Sequence, residues 1–112
     1  MIDGKYKYIP EELLDAGHNL ECIGVLEIAW KSQKALQVID FLCSKGIPIL
    51  GGDVYTFNGK DIESTYDSWY SNRGLNDTFV QESREKAIEY IMQYAKNNGD
   101  NFIYSIVFEI AD

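Results

Sequence analysis

The pair Asn58-Gly59 restricts the fold more than any other feature of the chain. It sits in the stretch GIPILGGDVYTFNGKDIESTYDSWY, residues 46–70, between two runs rich in β-branched and aromatic residues. Both Asn and Gly tolerate positive φ, so this pattern predicts an antiparallel hairpin with strands over residues 47–56 and 62–70. The register is open. A two-residue Asn58-Gly59 turn sets Tyr55 opposite Ile62, whereas a three-residue loop with a bulge moves the pairing by one and turns the partner faces over. Gly51-Gly52 is a second place for a bulge or a close backbone approach.

Helical periodicity surrounds the hairpin. Residues 10–17 read as a short helix with Pro10 at its start, Glu11 and Glu12 at its positive end, and Gly17 as its stop. Ser32 is a candidate cap for a helix whose buried stripe is Ala35, Val38, Ile39 and Leu42, stopped by Gly46, with Gln33, Lys34, Gln37 and Lys45 in water. Asp77 or Ser83 is a candidate cap for a long helix to about Asn97, with Ala87, Ile88, Ile91, Met92 and Ala95 buried and Asn98-Gly99 ending it. Residues 21–30 fit either a helical stripe or strand alternation. Phe102–Phe108 is apolar on both faces, which marks a central strand. The class is therefore α+β: an antiparallel sheet of three or more strands, including the hairpin, packed against two main helices. A chain of 112 residues suits one domain, 1–112, with a core that needs no staples.

The formal net charge is −8, and the acids are spread along the chain. Such a surface is repelled by phosphate backbones and anionic membranes, so nucleic acid and membrane are not expected partners. It attracts basic partners and otherwise serves solubility. Cys22 and Cys43 form no CxxC and have no zinc-spaced neighbours, and read as free thiols in a reducing cytoplasm. The first residues carry no signal-peptide pattern, and no apolar run approaches membrane-spanning length, so a cytoplasmic location is expected.

The residue types that carry chemistry are sparse. Gly51-Gly52 matches neither phosphate-binding glycine pattern, and Asp53 beside it repels phosphate. The hairpin acids Asp53, Glu63 and Asp67 suit glycoside hydrolysis or metal binding only if two share a face, which the open register leaves undecided. His18 is the single histidine; it follows Gly17 at a helix end, and no nucleophile elbow accompanies any serine. The densest cluster is Tyr66, Asp67, Trp69 and Tyr70. Alternation sends Tyr66 and Tyr70 to one face and Asp67 and Trp69 to the other, so both faces carry large rings and one of them needs a cover or a partner. No metal or cofactor is expected.

With these residues in view, the chain resembles the immunity protein 40 family of bacterial polymorphic toxin systems. The resemblance rests on Ile49-Leu50-Gly51-Gly52-Asp53-Val54-Tyr55, Asn58-Gly59 and Thr65-Tyr66-Asp67-Ser68-Trp69-Tyr70. Supporting pieces are Glu27-Ile28-Ala29, Ala35-Leu36, Ser83 and Ala87-Ile88-Glu89-Tyr90-Ile91. It implies a single immunity-protein-like domain that binds and neutralises a cognate toxin domain without catalysis. For a nuclease toxin, acids here would stand in for phosphates. It carries over no binding residues. The expected contact set, taken from the hairpin's acids and rings, is Asp53, Tyr55, Glu63, Asp67, Trp69 and Tyr70. The alternatives are a small-molecule-binding or hydrolytic domain using the same acids and rings, and a structural subunit of an intracellular complex.

Overall fold

The computed structural model describes residues 4–71 and 78–110. Its centre is a five-stranded antiparallel sheet in the order β1-β2-β5-β3-β4, formed by β1 (His18–Asn19), β2 (Ile28–Trp30), β3 (Ile49–Phe57), β4 (Ile62–Tyr70) and β5 (Phe102–Phe108). The α+β class is as the sequence pattern predicts, and β5 is the middle strand. Residues 21–30 resolve into a 3-10 turn at Glu21–Ile23 followed by β2.

Helices α1 (Glu11–Asp15), α2 (Ser32–Ser44) and α3 (Phe79–Asn98) complete the architecture. The stripe Ala35, Val38, Ile39 and Leu42 on α2 is fully buried, together with Ala87 and Ile91 of α3. These meet Trp30, Ile49, Val54, Trp69, Tyr104, Ile106 and Phe108 in the main core. Alternation along the strands sends the remaining inward residues to the opposite face. There Leu20, Ala29, Tyr55 and Ile103 form a smaller cluster, partly covered by Val25, Phe57 and Ile62.

Several local details differ from expectation. Ser32 is the first helical residue rather than a cap, and Lys31, which precedes it, makes no side-chain capping bond. The far end of α2 does close as expected. Gly46 and Ile47 donate to the Cys43 and Leu42 carbonyls, the paired bonds of a Schellman stop. Thr78 precedes α3, and Asp77 lies outside the described residues. Ser83 lies one turn inside α3, 1% exposed; its hydroxyl donates to the Val80 carbonyl and accepts from the Ile49 amide at 3.0 Å. It satisfies a buried strand amide rather than a helix end. Met92 is 57% exposed, because it turns away from the strip of sheet that buries Ala87 and Ile91.

The hairpin adopts neither of the two expected registers. Phe57 pairs with Ile62, Thr56 with Glu63 and Tyr55 with Ser64, so residues 58–61 form a four-residue connection. Its closure is an Asx turn: Asn58 Oδ1 accepts from the amides of Lys60 at 3.1 Å and Asp61 at 2.8 Å. Gly59 takes φ +93°. The β3–β5 register shifts just before the glycine pair, between Ile49 and Gly51, while Gly51 and Gly52 themselves pair in step with Val107 and Ile106. The glycines are needed for space. A Cβ at Gly52 would collide with the Ser105 carbonyl oxygen and the Trp69 ring.

Because a strand carbonyl cannot move aside freely, Gly52→Ala is expected to destabilise the fold by about 1–3 kcal/mol. Gly59→Val forces a β-branched residue into positive φ and is expected to cost about 1 kcal/mol or more. Urea unfolding of the two variants checks both; wild-type midpoints would contradict the close approach and the turn respectively.

Candidate protein-interaction surface

Two sides of the hairpin do different work. On the helix side, Trp69 is 5% exposed and stacks on Tyr90 with ring centroids 4.9 Å apart. Tyr90 stacks in turn with Tyr94, which meets Phe102 and Tyr104 edge-on. The Tyr94 hydroxyl donates to Asp67 Oδ2 at 2.8 Å. Trp69 and Asp67 thus fasten edge strand β4 to α3. Burial, with Asp67 close by, holds the Tyr90 and Tyr94 phenols above their ordinary range. Burial pushes Tyr104 up to about 12, and its hydroxyl has no hydrogen-bond partner.

Between these anchors β4 carries a large irregularity. Asp53 pairs with Ser68 and Tyr55 with Ser64, so Val54 alone faces residues 65–67. Side chains hold the bulge closed. Thr65 Oγ1 donates to the Val54 carbonyl at 2.8 Å and accepts from the Asp67 amide at 3.0 Å, and Ser64 Oγ accepts from the Tyr66 amide at 3.1 Å. At its crest Tyr66 has φ +66°, the one positive φ outside glycine among the described residues. That conformation costs an aromatic residue roughly 1–2 kcal/mol. The ring recovers nothing from packing, being 92% exposed.

On the side away from the main helices, Ile23, Val25, Tyr55, Ile62, Glu63, Ser64 and Tyr66 line an open groove of about 510 Å³. Tyr55 lies at its base, 6% exposed. Burial, then the nearby carboxylates of Asp53 and Glu27, push its phenol up. A second groove of about 520 Å³ runs along α3 over Ile88 and Met92, bordered by both signs of charge: Arg84, Lys96, Glu85 and Glu89.

The six residues expected from sequence therefore separate. Tyr55 and Glu63 line the groove, and Asp53 is half-buried beside Tyr55. Tyr70 is 67% exposed at the far end of β4, with the Lys86 ammonium 5.3 Å from its ring centroid. Asp67 and Trp69 are committed to α3. Strand alternation puts Asp53 on the Tyr55 side and Asp67 on the opposite side, although both charges reach the Tyr90 phenol. Tyr66 is absent from the expected set. The alternation that sent it away from Trp69 held the signal, but the positive φ that lifts it into solvent has no mark in the sequence.

The other candidates are structural. His18 belongs to β1, its ring 4.2 Å from that of Phe57; burial and then Lys31 lower its pKa, which keeps it neutral at pH 7. Cys22 is exposed, and burial pushes the Cys43 thiol up to about 11. No group of three His, Cys, Asp or Glu among the described residues is arranged to hold a metal ion. Among the same residues, no helix is long and apolar enough to cross a membrane.

The fold and this surface define a small α+β layer domain with an acidic, tyrosine-bearing groove on its open side. The family model of immunity protein 40 matches residues 19–108, and the chain belongs to that family. The match begins at Asn19, the second residue of β1, and takes in β2 to β5 whole. No curated protein matches the chain.

The raised Cys43 and Tyr104 pKa values fix the sign of an alkaline stability change. Each group holds its proton more tightly folded than unfolded, so its contribution is complete below its unfolded pKa and is lost as pH rises through the folded value. Unfolding free energy is expected to fall between about pH 9 and pH 12. Chemical denaturation across that range measures it. Tyr104→Phe should flatten the upper part of the fall, and an unchanged slope would remove Tyr104 as its source.

Proposed function

We propose that the protein is an immunity protein that neutralises a cognate toxin domain by occupying it, one inhibitor to one toxin, without turnover. Family membership over residues 19–108 carries this reading. The acidic charge supports it from a second direction. A protein of net charge −8 approaches a basic partner faster than diffusion alone allows, and a nuclease active site is such a partner. The site of action is the cytoplasm of the cell that makes the protein. Contact is made by the open side of the hairpin through Asp53 and Tyr55, with Glu63 and Tyr70 along the exposed edge strand. Asp67 and Trp69 serve that surface from behind by fixing β4 to α3.

Occupancy makes a distinctive prediction. Titrating toxin activity with the purified protein should end at a fixed stoichiometric ratio. Asp53→Asn and Asp67→Asn, each shown to be folded, should still protect cells expressing the toxin. Protection by catalytic amounts, together with its loss in either folded amide variant, would falsify the mechanism and favour an enzyme.

A further inference from the structure

We infer that Tyr66 is the principal anchor of the toxin interface, and that the groove beside it receives a basic, protruding segment of the toxin. The inference rests on the immunity reading and names its contact site.

Three observations converge on this position. The Tyr66 backbone is strained, and a set of side-chain hydrogen bonds from Ser64 and Thr65 keeps it so. The Tyr66 ring itself gains no packing from the strain, since it stands 92% exposed. Strain held by its surroundings and directed outward is a mark of functional positioning. Finally, the ring borders a groove whose floor and walls offer apolar contact through Ile23, Val25, Tyr55 and Ile62. A bulged edge strand commonly re-aims a side chain in this way, and an exposed tyrosine beside an apolar depression has the make-up of an interface hot spot.

The charge of the groove selects the occupant. Its lining contains neither Lys nor Arg, and the carboxylates of Asp53 and Glu27 act on Tyr55 at its base. A lysine- or arginine-bearing loop can lay its aliphatic stem along the apolar wall and its charge toward these acids. The α3 groove has no such preference, because Arg84 and Lys96 balance Glu85 and Glu89 in its lining.

The test uses the 112-residue chain and a purified, activity-disabled candidate toxin domain. Tyr66→Asn removes the ring but accepts the left-handed backbone more readily than tyrosine does, so its melting temperature should stay level or rise. Its affinity should fall about 30-fold or more, the loss expected of a hot spot. Glu27→Lys, which reverses one of the charges acting on Tyr55, should slow association at low salt, with the difference shrinking as salt is added. Glu89→Lys makes the same change in net charge on α3 and should slow it far less. Unaltered affinity in folded Tyr66→Asn, or equal slowing by the two lysine variants, overturns the assignment while toxin binding by the unchanged chain leaves the immunity reading intact. No binding by the unchanged chain overturns both.

Discussion

The contact between the Trp69 ring and the bare backbone of Gly52 determines how the rest of the molecule is arranged. Edge strand β4 pairs with only one neighbour, β3, and needs a second attachment to hold a fixed position. Trp69 provides it by lying over Gly52, where no side chain competes, and stacking on Tyr90 of α3. The bulge in β4 is part of the same solution. Continued without it from the Tyr55–Ser64 pair, the register would set Trp69 opposite Leu50. Two extra residues slide the ring along to Gly52 without turning the strand over, since a shift of two preserves the face. The residue left at the crest is Tyr66. Inner packing and outer presentation thus share one cause.

That coupling explains which parts of the fold were legible in the sequence. Hydrophobic period revealed the stripe of α2, the body of α3 and the central place of β5, because each depends on many residues acting together. The hairpin was legible as an element but not in register. The Asn-Gly signal states that the chain reverses there. Which residues pair was decided by Asn58 Oδ1 reaching two amides and by the fit of Trp69 over Gly52, both tertiary outcomes. Ser83 shows the same limit. A serine early in a helix has the pattern of a cap, yet here it answers the buried amide of Ile49 from another element. Met92 looked buried because a helical period continues past the width of the sheet beneath it.

For the candidate surface, alternation correctly parted Tyr66 and Tyr70 from Asp67 and Trp69. The first pair stands exposed, while Trp69 is buried and Asp67 is bonded to α3. Sequence could not rank them as contacts. A ring next to an acid has the same pattern whether it closes a core or opens a surface. The deciding quantities are exposure, backbone strain and the sign of neighbouring charge, and all three arise only once distant residues such as Val25 and Ile62 are brought together.

Inhibition by occupancy, the role proposed for this chain, makes two separate demands, which different parts of the architecture would answer. Fast capture depends on long-range attraction, to which every acid contributes and which salt screens over roughly 10 Å. Slow release depends on a few well-placed rings whose conformational freedom is already spent before the partner arrives. Tyr66 meets the second demand because its backbone is fixed by Ser64 and Thr65, so less ordering remains to oppose binding. The acids need no such fixing, and neutralising one of many changes the field only slightly. Energy in the complex should therefore concentrate at the bulge held by Ser64 and Thr65, while attraction is strongest where the acids adjoin the groove. That division traces to the packing of Trp69 over Gly52, which sets where the bulge falls in β4.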